Sequence, residues 1–186
     1  MTSNRVLIDI GHGQYDEPRG DRPAYDPGAV SPTGWAEFQV NLVTAVAMQE
    51  RLQTLGHFTS FVPFGLQLFA RGLYAKDFDV FVSIHHNAMA GKSQGTEVAV
   101  HAKTGTDDDR DLAAGIAKTV SSALGIKNRG VIDLRLAVLS GARKTAVRAA
   151  VLTEGFFIDV PGIDLVGLAR LEGQAMAAAV NDWLRR

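Results

Sequence analysis

The sequence predicts one α/β domain, with a mixed and mostly parallel sheet of about six strands flanked by helices. Hydrophobic runs alternate with helical patterns along the chain, which is typical of this fold class. At 186 residues the chain has the size of one compact domain. No internal repeat, low-complexity segment or linker divides it. We therefore expect a single domain over residues 1–186.

The first half of the chain is expected to contain three strands and one long helix. A β-branched run predicts a strand at 5–10, and the proline- and glycine-rich segment 13–33 follows it as a long loop. Loops of that length in compact domains are more often functional than idle. An apolar stripe predicts a helix over 34–55, ended by Gly56. Two further apolar runs predict strands at 58–62 and 79–85.

The second half continues the alternation of strands and helices. A strand is expected at 95–101, followed by a helix over 107–124 with acidic residues at its start and Gly125 at its end. Apolar runs predict two more strands, at 135–139 and 149–154. A final apolar stripe predicts a helix over 162–185.

Composition excludes several classes of function. The formal net charge is −1, and no run of Lys and Arg is present, which argues against nucleic acid or an anionic membrane as the main partner. Cysteine is absent, so any metal would be held by imidazole and carboxylate groups. Met1 leads within a few residues into the first strand, without an apolar stretch suited to a signal peptide or membrane anchor. We therefore expect a protein that is cytoplasmic as synthesised.

Polar side chains stand at the ends of three expected strands. His12 follows the first strand, His85 ends the third, and Glu154 ends the run Ala149–Leu152. In an α/β sheet the C-terminal ends of the strands form the edge where ligands bind. A catalytic zinc site needs three protein ligands and one position for water, and Glu37 at the helix start supplies a third donor. Zn²⁺ bound by His12, Glu37 and His85 would activate water, and Glu154 would carry the proton.

Each of these residues also has a structural interpretation. Glu37 could simply favour the helix dipole, and His12, flanked by glycines, could be a turn residue. His86 competes with His85, because neighbouring residues of a strand point to opposite faces. Glu154 is harder to explain away, since a carboxylate after a buried run is costly to desolvate. The joint occurrence of these groups at strand ends favours the metal site.

Six motifs in order resemble the zinc-dependent N-acetylmuramoyl-L-alanine amidases of the type 3 class. This family cuts the amide bond between N-acetylmuramic acid and the first L-alanine of the peptidoglycan stem peptide. The motifs are Ile8–Gly13, Asp26–Ala29 with Gly34 and Glu37, Ser83–Ala88, Gly95–Val98, Asn128–Gly130 and Val151–Phe156.

The resemblance implies roles for individual residues. His12, Glu37 and His85 would be the zinc ligands and Glu154 the catalytic glutamate, which decides between His85 and His86. His86 stands where the family commonly has a small residue, so we expect it to contact either substrate or the ligands from behind. Asn87 and Arg129, in the same motifs, are further candidate substrate contacts. The chain departs from the family in its longer segment between His12 and Asp26, and in Val62–Gly65, which replaces a common arginine.

The resemblance also implies a mode of action. The segment His101–Thr106 is too short for the helical insertion that blocks zinc in some relatives, so we expect no built-in autoinhibition. The chain looks like a minimal, monomeric lytic enzyme such as a phage endolysin. It would act on peptidoglycan after a separate membrane-permeabilising protein releases it. The alternatives are another zinc peptidoglycan amide hydrolase, such as a peptidase or deacetylase, and a non-catalytic wall-binding module with the same fold.

Overall fold

A six-stranded sheet organises the computed structural model, which describes residues 3–14 and 25–186. The strands are β1 Arg5–Ile10, β2 Gly13–Gln14, β3 Tyr25–Asp26, β4 Phe58–Phe61, β5 Val80–Asn87, β6 Thr96–His101, β7 Asn128–Leu134 and β8 Ala149–Phe157. The helices are α1 Glu37–Thr54, α2 Leu68–Leu73, α3 Asp107–Leu124, α4 Ala137–Ala142 and α5 Leu165–Leu184.

The large sheet has the order β4-β1-β5-β8-β6-β7. Neighbouring strands within this sheet are parallel, except for β6 and β8, which pair antiparallel. The expected mixed, mostly parallel sheet of about six strands is thus confirmed. Strands β2 and β3 form a separate antiparallel pair.

Helices cover both faces of the sheet. Alternate residues of β1 enter different cores: Val6 and Ile8 pack into the cluster that includes residues of α1, α3 and α5, whereas Leu7 packs with residues of α4. This division follows from the two-residue period of a strand. Because both faces are covered, the central strands are almost continuously apolar, as β1, β5 and β8 show.

Three of the long helices were expected and are confirmed within three residues at each end. The strand expected at 135–139 is wrong, because those residues enter α4. A short apolar run fits a buried helix as well as a buried strand, and here Val138 and Leu139 are buried on one face of the sheet. The sixth strand is instead β7, an edge strand whose mostly exposed residues give no apolar run.

The long loop at 13–33 is described only in part. Residues 15–24 lie outside the described residues, so the expected functional role of the loop as a whole stays a prediction. On either side of those residues, Gly13 pairs with Asp26 and Gln14 with Tyr25. This pairing brings the motif that begins at Asp26 next to His12.

The topology brings three of the predicted site residues, His12, His85 and Glu154, to one sheet edge. Strands β1, β5 and β8 are adjacent and parallel, so their C-terminal ends lie side by side. Strand β6 runs the other way, so its start reaches the same edge and its end, His101, reaches the opposite one. Among the described residues, no helix is both long and apolar enough to cross a membrane.

Candidate metal centre

The imidazoles of His12 and His85 both approach one carboxylate oxygen of Glu37. The Oε1 atom of Glu37 lies 3.0 Å from His12 Nε2 and 3.0 Å from His85 Nδ1. One nitrogen or oxygen from each of the three residues falls within a 4.8 Å cluster. The two imidazole rings meet edge to face with centroids 4.8 Å apart. Three donors of the type that zinc prefers are therefore gathered by a strand end, a second strand and a helix start.

Two glycines allow these side chains to pack closely. A Cβ atom at Gly11 would overlap the His85 ring, and a Cβ atom at Gly28 would collide with both Glu37 and the His12 ring. Gly28 also has φ +71°, a left-handed conformation that favours glycine. The glycines around His12 and Asp26 thus keep room for the imidazoles beside the backbone.

His12 is held from behind by two charged groups. Its Nδ1 atom lies 3.0 Å from Asp26 Oδ2, which directs Nε2 towards Glu37. Its backbone has φ +62°, which is uncommon for a residue with a side chain. The buried Arg71 guanidinium donates to the His12 carbonyl at 3.1 Å and to Asp9 Oδ1 at 2.7 Å. A carboxylate behind a histidine, as Asp26 is here, is the usual way in which metal-binding imidazoles are oriented.

Electrostatics of the metal-free site favour charged forms. Burial would lower the pKa of His12, but hydrogen bonds and charge from Glu37 and Asp26 outweigh it and raise the pKa to about 9. Burial would likewise raise the pKa of Glu37, yet its contacts with His12 and His85 hold that pKa well below its usual range. The site is therefore a preformed anionic centre with a proton on His12, which a cation would replace.

Glu154 lies beside the cluster but outside it. It pairs with His85 across β5 and β8 and with Glu97 across β6 and β8. Its Oε2 atom is buried and has no hydrogen-bond partner among the described residues. Burial, followed by repulsion from Glu37 and Glu97, raises the pKa of Glu154 to about 8. A carboxyl group with a strongly raised pKa next to a metal cluster is suited to carry a proton.

The three candidate contact residues occupy two different environments. His86 is 2 % exposed and points away from the surface, with Nδ1 2.6 Å from Asn41 and Nε2 2.7 Å from Glu172. Asn87 and Arg129 instead meet at Glu97, to which they donate at 3.1 Å and 2.8 Å. The structure thus places His86 behind the candidate ligands, while Asn87 and Arg129 lie with Glu97 near Glu154.

Several residues at this centre were not identified from the sequence. Asp26 stands in a recognised motif, and a carboxylate two residues before Gly28 could have signalled its contact with His12. Asn41 follows Glu37 by one helical turn and so shares its face. Arg71 and Glu172 gave no local signal, because their partners are distant in the sequence.

One family model and several known proteins are similar to this chain. A family model described as N-acetylmuramoyl-L-alanine amidase matches residues 6–180. An uncharacterised protein of Bacillus subtilis (strain 168), YqiI, is 27 % identical over 186 residues, covering 95 % of this chain and 81 % of that protein. The N-acetylmuramoyl-L-alanine amidase AmiC of Neisseria meningitidis serogroup B is 37 % identical over 101 residues. That match covers 50 % of this chain and 21 % of AmiC.

A solved structure shares the fold over nearly the whole chain. The N-acetylmuramoyl-L-alanine amidase from Clostridium difficile 630 superposes with a TM-score of 0.82 at 24 % identity. The superposition covers 98 % of this chain and 97 % of that one. At this level of identity the likeness concerns the fold, and the residues of the centre must carry the functional argument.

Proposed function

The chain belongs to the N-acetylmuramoyl-L-alanine amidase family, whose model spans residues 6–180, and from this premise we propose that it is a zinc-dependent peptidoglycan amidase. The bond hydrolysed is the amide between N-acetylmuramic acid and the L-alanine of the stem peptide. The observation that supports the proposal is the cluster of ligand atoms from His12, Glu37 and His85 beside Glu154.

The donor set fits zinc. Two imidazoles and one carboxylate are a common ligand set of catalytic zinc, and they leave a fourth position open. When bound, zinc would polarise the amide carbonyl and activate a water molecule at neutral pH. Asp26 orients His12 through Nδ1, and the backbone N–H of Ala29 holds Glu37 Oε2 at 3.0 Å. Asp26 would thus keep the hydrogen on Nδ1 when Nε2 becomes a ligand, and Ala29 orients the Glu37 carboxylate.

Glu154 would transfer the proton during hydrolysis. Its carboxylate takes a proton from the attacking water and returns it to the leaving nitrogen, so that the free amine of L-alanine departs. Burial, together with repulsion from Glu37 and Glu97, raises its pKa and makes the protonated form accessible near neutral pH. A nearby cation would lower that pKa towards the value a general base needs. Glu154 can therefore serve as base and then as acid in one turnover.

Asn87 and Arg129 would form the wall of the substrate groove. Both donate hydrogen bonds to Glu97. Glu97 pairs with Glu154 on the side of β8 that faces away from the strand of His85. Amide and guanidinium groups can bind the carbonyl and carboxylate oxygens of a stem peptide. The enzyme would act as a monomer on peptidoglycan, as a lytic enzyme of endolysin type, and reach the wall with the help of a separate membrane-permeabilising protein.

Digestion of purified peptidoglycan followed by mass spectrometry tests this function. We expect free stem peptides that begin with L-alanine, together with glycan strands that lack peptides. The protein should clear isolated sacculi without an activator, and the Glu154→Gln protein should produce neither effect. Peptides cleaved within the stem would indicate a peptidase, and glycan that has lost only acetyl groups would indicate a deacetylase. Binding to sacculi without any product would indicate a wall-binding module.

A further inference from the structure

We propose that Asn41, His86 and Glu172 form a buried positioning network that sets the geometry of the metal ligands and of Glu154. The three side chains come from α1, β5 and α5, and they lie behind the metal centre rather than in it. All three side chains are buried, so each would act through the residues next to it. The inference rests on the proposed metal site, because the network acts through the metal ligands.

Glu172 anchors the network in the core between α1 and α5. The residue is 0 % exposed, and its Oε2 atom receives both His86 Nε2 at 2.7 Å and the Thr44 hydroxyl at 3.0 Å. Its Oε1 atom has no hydrogen-bond partner among the described residues. Burying a carboxylate in this way is costly unless it is paired, so His86 and Thr44 are required to keep it there.

Asn41 determines how His86 is held. The Asn41 amide Nδ2 donates to the Gly11 carbonyl at 3.1 Å, which leaves Oδ1 to face His86 Nδ1 at 2.6 Å. Because that oxygen only accepts, His86 Nδ1 must carry a hydrogen and donate it. The imidazole is thus fixed at both nitrogens, by α1 on one side and by α5 on the other.

The network contacts the backbone next to each of the other functional residues. Asn41 binds the carbonyl of Gly11, directly before His12, while the His86 amide, directly after His85, donates to Glu37 Oε1 at 3.1 Å. Glu172 packs against Gly155, directly after Glu154, so closely that a Cβ atom there would overlap its carboxylate. A shift of any member would therefore move at least one functional residue.

Stability alone is a weak explanation for such a network. Replacing buried ion pairs by apolar residues of similar volume is often neutral or stabilising, so a buried pair such as His86 and Glu172 is weak evidence for stability. Groups behind metal ligands, by contrast, typically change metal affinity or activity by about 10- to 100-fold when they are altered. The position of Asn41, His86 and Glu172 beside the ligands points to this second role.

The test compares His86→Gln, Glu172→Gln and Asn41→Asp with a matched control. Asn41→Asp is nearly isosteric and retains the acceptor for His86 but loses the donor to Gly11. The control is His101→Gln, since His101 is also a buried histidine, hydrogen-bonded to Ser140 at 2.9 Å, but at the opposite sheet edge. The zinc dissociation constant is measured by chelator competition, and the ligand geometry by the visible absorption spectrum of the cobalt(II) form.

We expect the three network variants to bind zinc about 10- to 100-fold more weakly and to show altered cobalt spectra. The fold-decrease in kcat should exceed the fold-change in KM. His101→Gln should match the wild type in zinc affinity, cobalt spectrum and kinetic constants. If folded His86→Gln or Asn41→Asp protein kept both wild-type zinc affinity and the wild-type cobalt spectrum, the inference would be overturned. A wild-type protein that binds no zinc would instead overturn the proposed function. Should His86→Gln fail to fold, Asn41→Asp alone decides.

Discussion

Glu37 is the residue on which the centre depends, because its Oε1 atom accepts from His12, His85 and the His86 amide.

We predict that the His85→Ala protein loses bound zinc and activity but stays folded, because one of three ligands is missing. Metal analysis of the purified protein checks this, with His57→Ala as the control, since His57 contacts Asn181 and not the centre. A full zinc content in His85→Ala would refute the ligand assignment.

His12 makes zinc binding pH-dependent. With a pKa raised to about 9 in the metal-free protein, His12 is protonated at pH 7 and must release that proton to become a ligand. We therefore predict at least one proton released per zinc bound at pH 7, and an affinity that rises by about tenfold per pH unit below the pKa. Calorimetry in buffers of different ionisation enthalpy measures the proton count. Binding without proton release would contradict the protonation state derived from the Glu37 and Asp26 contacts.

Glu154 gives a prediction for activity. Glu154→Gln should retain zinc and lose about two to four orders of magnitude in kcat, which is the usual contribution of a positioned acid or base. The amide keeps the shape of the side chain and removes its capacity to carry a proton. Turnover close to that of the wild type would mean that another group, with Glu97 the nearest on the paired strand, serves as the base.

The same substitution has a signature in stability. In the metal-free folded protein the Glu154 pKa is raised from 4.5 to about 8, so the unfolded chain releases the proton first as pH rises. The stability linked to this group is fully present below about pH 4.5 and is lost as pH rises through about 8. Metal-free Glu154→Gln should therefore gain in Tm relative to the wild type between these pH values. A Tm difference that is constant with pH would contradict the buried, protonated state.

At the scale of elements, apolar patterning predicted what is buried and missed what is exposed. Helix α3 has both an apolar stripe and acidic residues in its first turn. Thr106 and Asp109 form a reciprocal capping box at its N-terminus. Strand β7 lies at the sheet edge with mostly exposed residues, so no apolar run marked it. The run at Leu136–Leu139 became the short helix α4, because burial alone does not distinguish strand from helix in so few residues.

The candidate site divides in the same way. Residues at strand ends, such as His12, His85 and Glu154, could be placed from the sequence because parallel strands bring their ends to one edge. Residues that act across the fold could not, since the contact of His86 with Glu172 joins positions 86 residues apart. No local pattern encodes such a contact, because it forms only when the fold brings β5 and α5 together.

The turn after β1 gives a prediction for an element. Gly11 is not in a left-handed conformation, so alanine is allowed by the backbone, yet its Cβ atom would overlap the His85 ring. We predict that Gly11→Ala weakens zinc binding markedly by displacing His85. Chelator competition measures this, and Gly115→Ala in α3 is the control because its Cβ atom would meet no other atom within 4 Å. Equal zinc affinities for the two variants would show that the Gly11 contact does not position His85.

At the scale of the whole molecule, the candidate metal centre lies at an edge of the sheet and the apolar cores lie on its faces. The two large apolar clusters lie on opposite faces of the sheet and consist mainly of strand and helix side chains. A chain of 186 residues buries enough apolar surface to fold without a metal, unlike small zinc domains that unfold when it is removed. The centre lies at one edge of a sheet that is expected to be stable without a metal.

Metal removal should therefore abolish activity and leave the fold intact. We predict that chelator-treated protein keeps its far-UV circular dichroism and unfolds cooperatively, at a lower Tm than the zinc form. Binding to the folded state alone adds about 2.7 kcal/mol when free zinc is 100 times the dissociation constant, so Tm should rise with zinc concentration. Thermal unfolding followed at several zinc concentrations measures this shift, and activity should return on adding zinc. Loss of cooperative unfolding in the stripped protein would mean that His12, Glu37 and His85, joined by the metal, stabilise the sheet edge far more than their local contacts indicate.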